Sequence, residues 1–379
     1  MRQVVVAHFA YIVHDLNDPA VSRRIEMLRA AGDTVTVLGF YRGTLPPPAV
    51  AGCQAIPLGR TADGRLIQRA MSVARRLAWP EEVQREVARA DVVIARNLEC
   101  LALAASPARR SRKRLVYECL DIHRVLLSDR RLPRLLQRLE ARMLKQVDLL
   151  LVSSPAYLDH YFSKRPELTA PRLLVENRLL ELEDRTSNCV RIAPGPPWTI
   201  GWLGNLRCRR SFDVLTDLAR RLDGKVEIVI AGRPSPAVFD DLPGALAQAP
   251  HCTFLGSYHF DELAGIYARC HFAWSIDWFE DGLNSLWLLP NRLYEAQAYG
   301  TVPIAFRSVQ IGKWLAAHQT GMLVDDALTE LEPTLARMTA EEYIALQTAV
   351  ARLSRRELVA GPEDCRILSA QLQGHVAPD

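Results

Sequence analysis

Short apolar runs alternate with longer amphipathic segments along most of the chain, and this alternation most constrains the fold. In the first half it predicts six strands: Gln3–Ala7, Thr34–Leu38, Val92–Ala95, Leu115–Tyr117, Leu149–Val152 and Leu173–Val175. The clearest helix between them covers Ala20–Ala31, with Gly32 just past its end as a stop signal. Such alternation is typical of parallel strands joined by helices, so we predict an α/β fold.

A break divides this pattern in two. The segment Glu181–Pro197 has no periodicity and ends in three prolines and a glycine, a composition typical of linkers. The alternation begins again at Trp198–Leu203 and continues through Val302–Ala305. We therefore predict two α/β domains of similar size, at 1–182 and 198–355, joined by a linker at 183–197. A helical segment at 356–379 follows, and packing against the first domain is one option for it.

The composition excludes several classes of protein. With 379 residues, 49% hydrophobic and 24% charged, the chain matches an ordinary globular protein. A net charge of +4 is too small to argue for nucleic-acid binding, and no apolar run approaches the roughly 20 residues of a membrane span. The amino terminus lacks the features of a signal peptide, and the eight cysteines show no CxxC spacing. We expect a cytoplasmic protein with reduced thiols, no bound metal and no cofactor.

Candidate binding residues follow the strands of the second half, because ligands of open α/β sheets bind where strands end and loops enter helices. Two strand ends carry glycines and arginines: Gly204, Asn205, Arg207, Arg209 and Arg210 after one strand, and Gly232 and Arg233 after the next. Close backbone approach and positive charge suit a diphosphate, although a solvated basic turn is the alternative. Tyr258 follows a third strand, where it would stack on a nucleobase or simply pack.

The segment Asp281–Gly300 is the most informative one. It predicts a loop at Pro290 and a helix over Leu293–Tyr299, with Glu295 in the first turn. A carboxylate there either caps the helix start or accepts hydrogen bonds from the two hydroxyls of a ribose. Two neighbouring residues would approach phosphate at the mouth of this site: Asn291 and Arg292.

Several segments together resemble the GT-B glycosyltransferases, in particular the family 4-like enzymes of bacterial polysaccharide assembly. In the second half these are the Gly204–Arg210 loop, Gly232-Arg233, GSYHFDELAGIY and LPNRLYEAQAYGTVPIA; in the first half they are the stretch from Asp18 to Phe40, DVVIARN and LVYECLDIH. The Asp18–Phe40 stretch and PNRLYE are similar to glycosyltransferases of succinoglycan- or xanthan-type exopolysaccharide assembly.

The resemblance implies two Rossmann-like domains facing across a cleft, the second of which binds a nucleotide-sugar donor, UDP-linked by expectation. In that family pattern Glu295 matches the glutamate that binds the donor ribose. Gly204 and Arg210 match the loop glycine and the basic residue that meet the diphosphate, with Arg209 as a neighbouring candidate. The acceptor would be a saccharide or a lipid-linked saccharide.

One position departs from the family pattern. Retaining family 4 enzymes carry a second glutamate eight positions before the ribose-binding one, and Trp287 stands there in this chain. This departure weakens a retaining assignment and slightly favours an inverting mechanism. It also leaves open a catalytically silent scaffold subunit, and a nucleotide-sugar epimerase on the same fold is a further alternative.

An inverting transferase needs a carboxylate or imidazole base within hydrogen-bond distance of the attacking hydroxyl. Two strand-end loops of the first half supply candidates. Asp121 is the first choice and Asp15 the second, with His123 and Glu118 as neighbouring groups. Asp18 follows the same strand as Asp15. It either serves as a further candidate or caps the following helix.

The stretch from Ser106 to Lys145 is strongly basic, with twelve Lys or Arg against four Asp or Glu. Part of it predicts an amphipathic helix with these leucines and methionine on one face: Leu132, Leu135, Leu136, Leu139, Met143 and Leu144. Such a helix either packs its apolar face on the sheet or lies on the inner face of the plasma membrane. No nucleic-acid role is expected, because no aromatic residues are interleaved with the arginines.

Overall fold

A computed structural model describes residues 6–61, 66–122, 131–183 and 190–376, with the side chains at 66–70 and 131–134 left aside. The chain forms two compact units. The first comprises 1–176, 180–183 and 360–379, and the second comprises 177–179 and 184–359. Each unit is built on one large sheet.

The first unit has an eight-stranded sheet in the order β3-β4-β2-β1-β5-β6-β7-β8, parallel except where β3 pairs with β4. The strands are β1 (His8–Val13), β2 (Thr34–Tyr41), β3 (Ala49–Val50), β4 (Cys53–Arg60), β5 (Val92–Arg96), β6 (Arg114–Cys119), β7 (Leu149–Val152) and β8 (Arg172–Leu174). The helices are α1 (Pro19–Ala30), α2 (Leu66–Ala78), α3 (Glu81–Arg89), α4 (Asn97–Arg110), α5 (Arg131–Leu144) and α6 (Pro155–His160).

The second unit has a six-stranded parallel sheet in the order β12-β11-β10-β13-β14-β15. Its strands are β10 (Trp198–Leu206), β11 (Val226–Pro234), β12 (Cys252–Phe254), β13 (Phe272–Trp274), β14 (Val302–Phe306) and β15 (Met322–Val324). Its helices are α7 (Arg209–Arg221), α8 (Leu242–Ala247), α9 (Leu263–Ala268), α10 (Asn291–Ala298), α11 (Gln310–Ala317), α12 (Ala327–Arg337), α13 (Ala340–Ala351) and α14 (Arg355–Leu358). A separate two-stranded sheet joins β9 (Leu179–Leu180) and β16 (Val359–Ala360).

Helix α1 shows how the sequence dictates a local element. Asp18 is its N-cap and accepts a hydrogen bond from the Ala20 backbone amide at 2.9 Å, while Pro19 occupies the first turn, where no amide donor is needed. Val21, Ile25 and Leu28 recur at helical spacing and are fully buried. The cap and this apolar stripe orient α1 against the sheet.

The first strand lies further along the chain than the sequence pattern predicts. The structure places it at His8–Val13 instead of Gln3–Ala7, whose first three residues lie outside the described part. The run at His8–Val13 pairs with β2 on one side and with β5 on the other, which places it inside the sheet. His8 does not interrupt the strand, because its ring hydrogen-bonds Thr36 at the strand start.

The two segments that flank the second domain are bonded to different units. The described part of the predicted linker, 190–197, has no helix or strand, yet it is bonded into the second unit: the Ile192 amide donates to Ala268, and the His271 ring contacts the Ala193 carbonyl. The last helix, α15 (Pro362–Gln373), belongs to the first unit. There Ser369 bonds Asp33, and the Leu372 carbonyl accepts from Arg114.

Candidate functional site

Three glycines lie side by side at the carboxyl edge of the second unit's sheet. Gly204 of β10 is in register with Gly232 of β11, and the Gly232 amide donates to the Gly256 carbonyl at 2.8 Å. Gly232 has a φ of 138°, and a Cβ there would collide with the Gly204 carbonyl oxygen. Only glycine fits this close approach, so bare backbone is available to a ligand at this edge.

Arginines surround this glycine edge. Arg209 and Arg210 open helix α7 and are exposed, whereas Arg233 lies opposite Asn205 on the neighbouring strand end. Arg209 binds Asp213 at 2.9 Å along its own helix, which turns its charge toward that partner. Arg210 instead lies over the Trp278 ring at 4.6 Å, a cation–π contact that leaves its charge available to an anion.

The segment Asp277–Phe279, which follows β13, contacts arginines of two other segments. The Asp277 carboxylate is 9% exposed and lies 3.9 Å from Arg207 and 3.7 Å from Arg292 through the same oxygen. Arg207 also lies over the Phe279 ring at 4.5 Å. One largely buried carboxylate thus lies close to two guanidinium groups at the edge that carries the glycines.

Glu295 lies one turn further into its helix than the sequence predicts. Helix α10 begins at Asn291, so the first turn holds no acidic residue and Pro290 is the N-cap. Glu295 therefore does not cap the helix start, and this alternative is wrong. Its Oε2 accepts a bond from the Tyr267 hydroxyl at 3.4 Å.

Two tyrosines line the surroundings of Glu295. Burial raises the pKa of Tyr258, and the Glu295 carboxylate raises it further, so the two groups are close neighbours. The same two causes hold the pKa of Tyr267 well above its ordinary value. Both phenols are therefore neutral donors near a half-buried carboxylate, an arrangement suited to binding vicinal hydroxyls.

The carboxyl edge of the first unit's sheet carries a different kind of cluster. Glu118, at the end of β6, is fully buried and accepts bonds from the Tyr11 hydroxyl and from Arg24 at 2.8 Å, with Arg96 at 3.4 Å. Burial alone would raise the pKa of Glu118, but Arg24 and Arg96 outweigh it and hold the pKa below its ordinary value. A weakly basic, enclosed carboxylate argues against a role as base, and the structure favours a structural role for Glu118.

The first β–α loop engages both of its aspartates. Asp15 is buried, accepts from the Asn17 amide at 3.0 Å and binds Arg42 at 3.0 Å. Asp18 caps α1 and faces Arg96 at 3.3 Å and His14 at 3.7 Å. Burial would raise the pKa of Asp18, yet Arg96 and His14 lower it overall.

Asp121 is the exposed carboxylate of this edge. It lines a small pocket of about 110 Å³ together with His14, Arg42, Asn97 and Glu140. The structure therefore brings Asp121 and His14 to one pocket, whereas His123 lies outside the described residues. Within the described ranges, no group of three His, Cys, Asp or Glu side chains could hold a metal ion.

Three of these residues were missed as site candidates from the sequence: Asp277, His14 and Arg96. Asp277 lies just after a strand that the sequence pattern had located, so the rule that picked Gly232 would have found it. His14 follows β1 directly, but the misplaced first strand put it inside a loop. Arg96 gave no signal, because an arginine ending a strand of four apolar residues looks solvated.

The chain is similar to known proteins in sequence and in fold. The chain is 41% identical over 371 residues to the succinoglycan biosynthesis protein ExoL of Rhizobium meliloti (strain 1021), covering 96% of this chain and 92% of that protein. No family model matches the chain.

Two solved structures show the same fold at low sequence identity. Sucrose-phosphate synthase of Thermosynechococcus elongatus has a TM-score of 0.69 at 15% identity, over 97% of this chain and 98% of that one. Anabaena HepE, solved with UDP and glucose, has a TM-score of 0.68 at 14% identity, over 98% and 100%. These likenesses confirm the GT-B fold class with its two Rossmann-like domains. Separately, the part of the chain that the structure describes contains no helix long and apolar enough to cross a membrane.

Proposed function

Because the chain belongs to the family of the succinoglycan biosynthesis protein ExoL, we propose that it is a glycosyltransferase of bacterial exopolysaccharide assembly. It moves a sugar from a nucleotide-sugar donor, UDP-linked, to a saccharide or lipid-linked saccharide. HepE, of the same fold, was solved with UDP and glucose, which supports the choice of nucleotide.

The observation that carries the proposal is the position of Glu295. Glu295 does not cap its helix, which begins at Asn291 and Arg292. It lies beside two neutral tyrosines. We assign Glu295 to the two ribose hydroxyls, since a carboxylate accepts two hydrogen bonds from a vicinal diol. Tyr258 lies where the nucleobase would pack.

The diphosphate is assigned to the glycine edge. Gly204 and Gly232 allow the backbone to approach, with Asn205 and Arg233 at the same strand ends. Arg207, Arg210 and Arg292 supply charge, and Arg209 contributes less because Asp213 already binds it. Asn291 lies at the start of α10, where free amides favour an anion.

The reaction is proposed to invert the anomeric centre. A base on the first unit takes the proton of the acceptor hydroxyl, the oxygen attacks the anomeric carbon, and UDP leaves with the bonding electrons. Asp121 remains the leading base because it is exposed and lines the 110 Å³ pocket, with His14 as the second candidate there. Asp15 and Glu118 are ranked lower since both are buried in ion pairs.

We place this reaction in the cytoplasm. The eight cysteines are scattered along the sequence without CxxC spacing, a pattern typical of reduced thiols in that compartment.

The decisive test is calorimetric titration of UDP and a panel of UDP-sugars into the protein and its Glu295→Ala variant. We expect micromolar binding of UDP and at least a tenfold loss in the variant, about 1.4 kcal/mol. Glu227→Ala is the matched control, since Glu227 is an exposed glutamate on β11 of the same unit. Equal binding by the variant and the protein would remove the ribose assignment.

Turnover separates transfer from the alternatives. Incubation of a UDP-sugar with a saccharide acceptor should release UDP only when the acceptor is present. Interconversion of the UDP-sugar without acceptor would instead identify an epimerase, and binding without any turnover would identify a scaffold subunit.

A further inference from the structure

A basic pocket opens at the amino edge of the first unit's sheet, the opposite edge from Glu118 and Asp121. It has a volume of about 480 Å³ and is lined by the cations Arg109, Arg112, Lys113, Arg114 and Lys145. Helices α4 and α5 end here, and strands β6 and β7 begin here. The donor and acceptor chemistry uses none of these residues.

Most cations of this pocket have no acidic partner in the part of the chain that the structure describes. Among the residues that the structure describes, Arg109, Arg112, Lys113 and Lys145 form no ion pair. The acidic lining residue, Asp148, already accepts a hydrogen bond from the Leu115 amide at 2.8 Å. The positive potential of the pocket therefore faces solvent.

Helix α7 of the second unit provides the contrast. It is also rich in arginine, but Arg220 and Arg221 both bind Asp217, and Arg209 binds Asp213. The chain thus pairs its arginines on one surface helix and leaves them unpaired at the pocket. This difference indicates an anionic partner from outside the protein.

The outer face of α5 continues from the pocket and adds apolar groups. Five exposed residues lie one or three positions apart along this segment, beginning at the residue that lines the pocket: Lys145, Arg142, Leu139, Arg138 and Leu135. Leu135 is 54% exposed and Leu139 is 42% exposed, whereas Leu144 is buried. The leucines whose side chains the structure describes are therefore divided between the exposed and the buried side of α5, and the sequence prediction of a single apolar face is wrong.

We infer that the basic pocket and the outer face of α5, together called the α5 surface, bind a bilayer that contains anionic phospholipids. The pocket takes the phosphate of a lipid headgroup, and Leu135 and Leu139 enter the boundary between headgroups and acyl chains. Exposed cations near such a surface attract anionic lipid, and neighbouring apolar side chains add burial. A free phosphate would match the pocket alone but would leave the two leucines in water.

Vesicle flotation tests this inference with the full chain. Vesicles of equal parts phosphatidylglycerol and phosphatidylcholine should bind the protein, and vesicles of phosphatidylcholine alone should not. Arg112→Gln combined with Lys113→Gln should weaken the partition about 30-fold, because two basic residues contribute roughly 2 kcal/mol near an anionic surface. Leu135→Ser combined with Leu139→Ser should also weaken it, even at low salt.

Arg220→Gln combined with Arg221→Gln is the matched control, since it removes the same charge from the paired arginines of α7. It should leave the partition within about twofold. An equal loss in this control would show that net charge, not the α5 surface, drives binding. Binding that ignores the lipid charge would also overturn the inference.

Titration with inorganic phosphate and pyrophosphate distinguishes the two sources of phosphate. Saturable binding of these ions without vesicle binding would replace the lipid by a soluble anion and overturn the inference. UDP titration of each variant checks that the variant is folded. It also separates this inference from the proposed function, because loss of vesicle binding with intact UDP binding concerns the α5 surface alone.

Discussion

The carboxyl edges of the two sheets hold charged residues in opposite ways. At the first, Glu118 is enclosed and neutralised by Arg24 and Arg96 within 3.4 Å. At the second, Arg207 and Arg292 share the carboxylate of Asp277, and Arg210 lies over the Trp278 ring without an ion pair among the described residues. One edge balances its own charge, and the other keeps an excess of positive charge.

This difference separates structure from binding. A buried ion pair costs desolvation and gives a defined geometry in return, so the charged groups of the first edge hold one another in fixed positions. Partly exposed arginines with too few carboxylates retain affinity for an external anion. The comparison teaches that the density of charged residues after a strand is a poor guide to chemistry unless their mutual neutralisation is known.

The largest expected effect concerns the enclosed edge. Glu118→Gln should lower the free energy of unfolding by about 3–5 kcal/mol, because it leaves Arg24 buried without a counter-charge and leaves Arg96 with Asp18 alone. Denaturant unfolding measures this loss. UDP binding by the folded variant should stay unchanged, since the second unit supplies the donor residues.

Glu86→Gln is the control for this prediction. Glu86 is also largely buried and binds two arginines, but Arg85 and Arg89 are exposed and can return to water. Its loss should cost no more than about 1 kcal/mol. A similar cost for Glu86 and Glu118 would break the distinction between enclosed and open ion pairs.

A smaller effect is expected at the open edge. Asp277→Ala should weaken UDP binding about tenfold, near 1.4 kcal/mol, because Arg207 and Arg292 lose the group that collects them. Asp277→Asn keeps an acceptor for the Phe279 amide and should stay within about threefold. Tighter UDP binding by both variants would mean that the carboxylate competes with phosphate instead of positioning the arginines.

The smallest effect is the pH dependence of the enclosed edge. The pKa of Glu118 is lower in the folded protein than its ordinary value of 4.5, so its stabilisation is complete above that value. It is lost as the pH falls from about 4.5 through the folded-state pKa, by about 1.4 kcal/mol per pH unit. Unfolding curves of the protein and Glu118→Gln should therefore converge below pH 4.5, whereas a constant gap would exclude the ionised carboxylate as its cause.

Much of the fold was predictable from local patterns. Leu149–Val152 was predicted as a strand with its observed bounds, and Val92 and Trp198 begin strands as expected. The misplaced first strand and the unpredicted β4, with Pro57 inside it, show the limit of this method. Their pairing depends on neighbours distant in the sequence, which no local window contains.

The candidate site divides along the same line. The sequence by itself determined the main candidate residues of the second half. Strand periodicity located Gly204 and Gly232, and helix periodicity located Glu295. Only the tertiary structure decided how charges combine: that Glu118 is sealed by two arginines, that Asp277 joins Arg207 to Arg292, and that Leu135 and Leu139 face outward. Coulomb and burial energies depend on distances through space, and the order of residues along the chain does not contain those distances.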